Sequence, residues 1–283
     1  YPNRKIIQKI LHIFFSLCLF DMLFILTLNQ SKVKKLKTIR IYINEKIQEG
    51  NLLINQESSH YLKNVMRLKL GDAFNVFNQR DGEWSAILKK YNNRKHQVLI
   101  QEFLGNKKPP EDIWILFSPV RKLRVDFISQ KITELGASLI WPIITKRTQY
   151  KNINTKRIIS NTIEAAEQCG ITHIPIVKEP TSLEWLIDNW ENSGEGRGII
   201  FCDEESSGNP LQLLRQAGED LPNMKWSILV GPEGGFDSEE RKMVMKMANV
   251  VNISLGPRIL RSDTAIIAAL SAFHLVLGDW RRY

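Results

Sequence analysis

Trp226-Ser227-Ile228-Leu229-Val230-Gly231-Pro232-Glu233-Gly234-Gly235-Phe236 joins two unlike pieces of chain. The first five residues are apolar enough for a strand buried on both faces. The next six hold three glycines and a proline. Such a loop leaves backbone amides unshielded and lets the main chain approach a ligand closely. No Gly-Lys-Ser/Thr follows, so it is not a Walker loop, and the spacing is not the GxGxxG of a dinucleotide fold. Asp237-Ser238-Glu239-Glu240 comes next, with the reciprocal spacing of a helix capping box. Strand, glycine loop and helix start together predict an α/β unit with a ligand loop at a strand's carboxyl end.

Working outward, the same grammar repeats. Val250–Leu255 is a predicted strand, and Leu255-Gly256-Pro257-Arg258-Ile259-Leu260-Arg261-Ser262-Asp263-Thr264-Ala265 bridges it to a helix over Asp263–Leu277 that stops at Gly278. Upstream, strands over Ile113–Ser118, Ser138–Ile144 and Gly198–Cys202 alternate with helices over Leu123–Gly136 and Thr155–Cys169, the second closing on Gly170. That alternation predicts a mostly parallel sheet covered by helices. Either loop alone could be a tight turn without a ligand; the two together favour a binding site.

The region before residue 111 reads differently. A strand over Ile39–Asn44 precedes a short helix over Ser58–Arg67, capped by Ser58 or Ser59. Strands over Ala73–Asn78, Glu83–Tyr91 and His96–Phe103 follow at hairpin spacing, with Asp81-Gly82 at one turn. The expectation is a small antiparallel barrel, closed off by the linker Lys107-Lys108-Pro109-Pro110. His60 and Arg67, seven residues apart, share one face of the predicted helix, either against an RNA backbone or simply in solvent.

The chain has 283 residues, with 39 Lys+Arg against 30 Asp+Glu, a net charge of +9 and a pI near 9.4. The 43% hydrophobic and 24% charged fractions exclude general disorder, collagen and a polytopic membrane protein. Cys18, Cys169 and Cys202 lie far apart and give neither a disulfide framework nor a metal knuckle, so a reduced cytoplasmic setting is expected. Residues 1–38 carry +6 of the charge, leaving only +3 for the rest. Within them, Ile10–Leu28 is nearly all apolar and long enough to span a bilayer, although Asp21 interrupts it and Lys32 to Lys37 follow. No small-residue cleavage site follows either. The chain opens on Tyr1 rather than Met, so residue 1 is not expected to be a translation start. Residues 1–37 are read as an artefactual or atypical extension, with a membrane anchor and a targeting peptide as alternatives.

GPEGGF followed some twenty residues later by LGPRILRSDTA resembles the bacterial 16S rRNA uridine N3-methyltransferases of the SPOUT superfamily. Lys131 to Gly136 resembles that family's KxTELG helix end, and Glu164 to Gly170 its EAAEQ motif. The resemblance implies a PUA-like RNA-binding barrel over 38–107 and a SPOUT α/β domain with a deep trefoil knot over 111–283. It implies S-adenosylmethionine as cofactor, 16S rRNA in the 30S subunit as substrate, a homodimer whose sites are completed across the interface, and no metal. By match to the motifs, Gly231, Pro232, Glu233, Gly234, Gly235, Leu255, Gly256, Ile259, Leu260, Arg261, Thr264 and Ala265 would line the cofactor. Two positions depart from the pattern. Ile171 stands about where the family has arginine, and Asp263 replaces a glutamate.

Methylation at N3 requires the uridine anion or something close to it, so a cation near O2 or O4 would stabilise the developing charge. Arg261 is the first candidate, with Arg124 and Lys122 behind it. Glu233 could orient the base or accept a proton, or simply tie its loop to backbone amides. RNA phosphates would meet His60, Lys63, Arg67 and Lys69 on the barrel, and Lys122, Lys146, Arg147, Lys151, Lys156 and Arg157 on the second domain. The competing readings are an RNA-binding protein of the same fold without catalysis, and a membrane-tethered protein defined by Ile10–Leu28.

Overall fold

In the computed structural model, residues 38–92 and 95–282 are described, and 39–283 belong to one compact unit. The predicted extension over 1–37, with its anchor reading, lies outside the described residues.

Five strands build the first domain: β1 (Arg40–Tyr42), β2 (Gly50–Ile54), β3 (Ala73–Asn78), β4 (Gly82–Asn92) and β5 (Lys95–Gly105). Their order is β1-β3-β4-β5-β2, antiparallel except where β1 lies parallel to β3. The parallel edge departs from the all-antiparallel expectation, because β1 reaches β3 only after the chain has passed through β2 and a helix. The sheet wraps a core of Ile41, Ile54, Leu62, Phe74, Val76, Leu88, Val98 and Ile100.

The helix here starts earlier than the sequence suggested. It is α1 (Gln56–His60), and Asn55 caps it by accepting from the Ser58 amide at 2.8 Å. Ser59 is buried and accepts from the His96 amide instead, at 2.9 Å. A π-helical turn over Tyr61–Val65 follows, and Arg67 sits at φ 54° in the left-handed region. The predicted shared helical face of His60 and Arg67 therefore does not form, since the chain has left the helix between them.

The second domain carries β6 (Ile113–Phe117), α2 (Lys122–Glu134), β7 (Leu139–Ile144), α3 (Thr155–Cys169), the short β8 (Ile176–Val177) and β9 (Thr181–Ser182), then α4 (Leu183–Asp188) and α5 (Trp190–Ser193). It continues through β10 (Gly198–Cys202), α6 (Pro210–Asp220), β11 (Trp226–Val230), α7 (Ser238–Met245), β12 (Val250–Ile253) and α8 (Ser262–Val276). The strand order is β12-β10-β11-β6-β7-β8, with β9 on β7 and every pairing parallel.

Alternation along β6 shows why its run is continuously apolar. Ile113, Ile115 and Phe117 enter the core under α2, α3 and α8, while Trp114 and Leu116 enter the opposite core under α4 and α5. Gly170 closes α3 at φ 73°, as its sequence position predicts. The apolar helix α8 buries Ile266, Ala269, Leu270 and Phe273 in the first of these cores.

Candidate active site

Register places the site. Phe117 of β6 pairs with Val230 of β11, Val230 with Cys202 of β10, and Cys202 with Ile253 of β12. Four parallel strands thus end on one level, and the chain segments leaving them share one rim.

The segment after β11 is fixed from all sides. Phe236 turns back beneath the loop, buried, with its ring edge-on to Phe201 at 4.8 Å. A Cβ on Gly231 would lie 2.6 Å from that ring, so only glycine lets the strand end pass over it. Gly235 is left-handed at φ +65°, its amide donates to the Pro232 carbonyl at 2.9 Å, and a Cβ there would run into the Glu204 carboxylate. Outside bonds complete the frame. Arg147 donates to the Gly234 carbonyl at 2.7 Å, Ser262 to the Gly231 carbonyl at 3.0 Å, and Arg124 to Glu233 at 2.9 Å. The predicted capping box at Asp237 and Glu240 is present, and Glu240 also accepts from the Lys146 amide at 2.7 Å.

The segment after β12 is open by contrast. Gly256 sits at φ +111° with nothing within 4 Å of its Cβ position. Its local bonds are two long contacts with Ser254, at 3.4 and 3.5 Å. Ile259 is 91% exposed.

Between the two segments lies a cavity of about 260 Å³. Gly231, Pro232, Glu233, Gly234, Gly235, Leu255, Gly256, Ile259, Leu260 and Ala265 line it. Arg261 and Thr264 stand outside that lining, both exposed at the start of α8. Arg261 is the N-cap residue there, and its side chain caps nothing. A cation at the positive end of a helix is locally unfavourable.

Sequence reasoning missed the third wall. Cys202, Asp203 and Glu204, at the end of β10, line the cavity with Phe236, Ser254, Arg258 and Ser262. The sequence marks GIIFC as a strand but does not say which strands stand beside it, and that order is what brings its end to the rim. Arg241 of α7 holds the acids there, with Asp203 at 2.9 Å and Glu205 at 2.7 Å. Burial pushes the Cys202 thiol up to about 12, so it stands as a packed neutral wall and not as a nucleophile.

The predicted RNA contacts are dispersed. His60, Lys63, Arg67 and Lys69 are exposed on the barrel. Arg147 is tied to the glycine loop, Lys146 pairs with Asp237 at 3.1 Å, and Arg157 pairs with Asp126, so these three brace the domain itself. Lys151 and Lys156 are exposed. The Lys122 side chain lies outside what is described.

With that geometry, the chain matches the RNA methyltransferase domain family over residues 107–274 and the RNA methyltransferase PUA domain family over 54–101. It belongs to the RNA methyltransferase family. Ribosomal RNA small subunit methyltransferase E of Rickettsia conorii is 29% identical over 243 residues, covering 85% of this chain and 97% of the relative. The Bacillus subtilis protein of the same name is 29% identical, covering 80% and 92%. Among solved structures, a Legionella pneumophila protein in complex with the bound cofactor SAM superposes with a TM-score of 0.74 at 28% identity, covering 86% of this chain and 99% of that one. The SPOUT and PUA-like architecture expected for an RNA methyltransferase is thus the architecture found.

Proposed function

We propose that this RNA methyltransferase transfers a methyl group from S-adenosylmethionine to N3 of one uridine in 16S rRNA, on the 30S subunit, as a cytoplasmic homodimer. The observation that carries the reading is the cavity formed where the glycine loop and the LGPRIL loop leave adjacent parallel strands. The names of the relatives support the rRNA substrate, and the SAM-bound neighbour supports the cofactor.

The residues present fit that cofactor. Gly231, Gly234, Gly235 and Gly256 bring the main chain to the cavity wall without side chains, Gly234 and Gly256 being exposed, and Leu255, Ile259 and Leu260 offer apolar surface beside it. When bound, S-adenosylmethionine supplies a methyl carbon already activated by its sulfonium. The protein's own task is then to seat the base and manage one proton. Arg124, outside the lining, pairs with Glu233 of the cavity wall, and Arg261, with no ion pair among the described residues, stands at the start of α8. Both are proposed to stabilise the anion that spreads over O2 and O4 as N3 loses its proton. Glu233 is exposed, and is proposed to pass that proton to water.

The strand order supports a knotted C-terminal half as well. β11 inserts between β6 and β10, and β12 then returns to the far side of β10. The domain limits proposed are a barrel over 38–107 and a methyltransferase domain over 111–283. Incubating purified protein with S-adenosylmethionine and unmethylated 30S subunits, then mapping 16S rRNA by mass, tests the reading. One new methyl on one uridine, blocking its pairing face, is expected. A methyl on a ribose or on another base would contradict it.

A further inference from the structure

The EAAEQ segment stands apart from the cavity. It forms the last turn of α3, and Glu167 within it faces the barrel, buried. One Glu167 carboxylate oxygen accepts from the Tyr42 amide of β1 at 3.0 Å, and the other from the Tyr61 hydroxyl at 3.1 Å. Arg40 of β1 completes the joint from the other side. Its guanidinium donates to the carbonyls of Ala166 at 2.7 Å and Ile171 at 3.2 Å, while it grips Glu83 of β4 at 2.9 and 3.0 Å. A cation over the last carbonyls of a helix sits at the favourable end of its dipole.

A buried carboxylate is a costly way to join two surfaces, since apolar residues of similar volume usually serve stability at least as well. What the carboxylate adds is direction. Its two oxygens meet two separate pieces of the barrel in fixed geometry: the edge strand, and the turn that carries the RNA candidates. Tyr61 directly follows His60 and opens the π-helical turn, which runs on to the left-handed Arg67. Such π-turns recur at functional sites, where they re-aim neighbouring side chains.

We infer that Glu167 is a positioning residue for RNA: through Tyr61 and the Tyr42 amide it sets the His60–Arg67 turn against the methyltransferase domain, and so fixes the distance from the bound RNA to the methyl-transfer cavity. The inference rests on the RNA-methylation reading above. The backbone carbonyl of Ile171 is one of the acceptors in this joint, a role that no side chain there supplies.

The test compares wild type with Glu167→Ala, Glu167→Gln and Tyr61→Phe. The dissociation constant for a 16S rRNA transcript is read by filter binding, that for S-adenosylmethionine by calorimetry, and KM and kcat on 30S subunits by methyl incorporation. Losing hydrogen bonds to a charged group predicts about tenfold weaker RNA binding and a matching rise in KM for Glu167→Ala. Cofactor affinity should stay within about twofold. Gln retains an acceptor for Tyr42 and a donor for Tyr61, so Glu167→Gln should restore RNA affinity to within about threefold of wild type. Tyr61→Phe should fall between the two. It removes one hydroxyl from a part-buried ring and decides the matter if Glu167→Ala does not fold. Unchanged RNA affinity in folded Tyr61→Phe, or equal losses of RNA and cofactor affinity, would overturn the inference. Absence of turnover by wild type would instead count against the reaction proposed above, while the RNA-affinity comparison would still decide the role of Glu167.

Discussion

The two loops that meet at the cavity are built in opposite ways. Residues 231–236 are held by a buried ring below, an arginine bond to one carbonyl, a serine bond to another and an ion pair at Glu233. Residues 255–261 set Leu255 and Leu260 against the core, but among the described residues their only hydrogen bonds are two long serine contacts and the Ala265 amide on the Arg261 carbonyl, and Ile259 stands almost wholly in solvent. One wall is therefore preformed and the other compliant. A preformed wall binds without a further ordering cost, whereas a compliant one must be ordered by whatever it closes on. The difference explains why the first loop needs glycines with no room for a Cβ, while Gly256 faces open space.

The comparison breaks most visibly if its foundation is removed. Phe236→Ala takes away the ring on which the rigid wall stands and leaves a cavity between it and Phe201. A loss of about 3–5 kcal/mol is expected, read as a lower urea midpoint with unchanged slope. Arg261→Ala, at the end of the compliant wall, should leave stability and cofactor affinity near wild type. It should lower kcat by about 10²- to 10³-fold, the scale of losing one donor to a developing anion. A comparable loss of cofactor binding would reassign Arg261 from the chemistry to the pocket. Gly235→Ala puts a side chain on a left-handed backbone, which costs about 1–3 kcal/mol, and displaces the exposed Glu204 carboxylate that lines the cavity. Cofactor affinity by calorimetry should therefore fall about tenfold or more. Ile259→Ser is the smallest change. The melting temperature should not move, since the side chain is exposed, and cofactor affinity should fall only a few-fold through lost apolar contact.

Much of this arrangement was legible in the residues because local rules and the global fold agree there. The runs 113–117, 198–202 and 226–230 are apolar because a parallel sheet buries both faces, and α3 begins and ends on its own cap and glycine. Where tertiary contacts rule, the reading failed. Gly50–Ile54 does not look like a strand until β5 pairs with it, and Asn55 displaces Ser58 as a cap by one side-chain bond. The wall from Cys202 to Glu204 was hidden for a different reason. Its place depends on strand order, which brings β10 beside β11, and no local pattern states that order. The intramolecular partners of Arg147 and Arg157, both still exposed, were not legible either, because a lone cation in a sequence carries no sign of its partner. The fold supplies Gly234 and Asp126.

Hydrogen exchange of the wild-type protein with and without S-adenosylmethionine tests the account most directly. Amides of 231–236 should already be slow in the free protein and change little. Those of 255–261 should be fast in the free protein and become strongly protected on binding. Equal protection gained by both loops would contradict a preformed wall facing a compliant one. No change in either would remove the cofactor from this cavity.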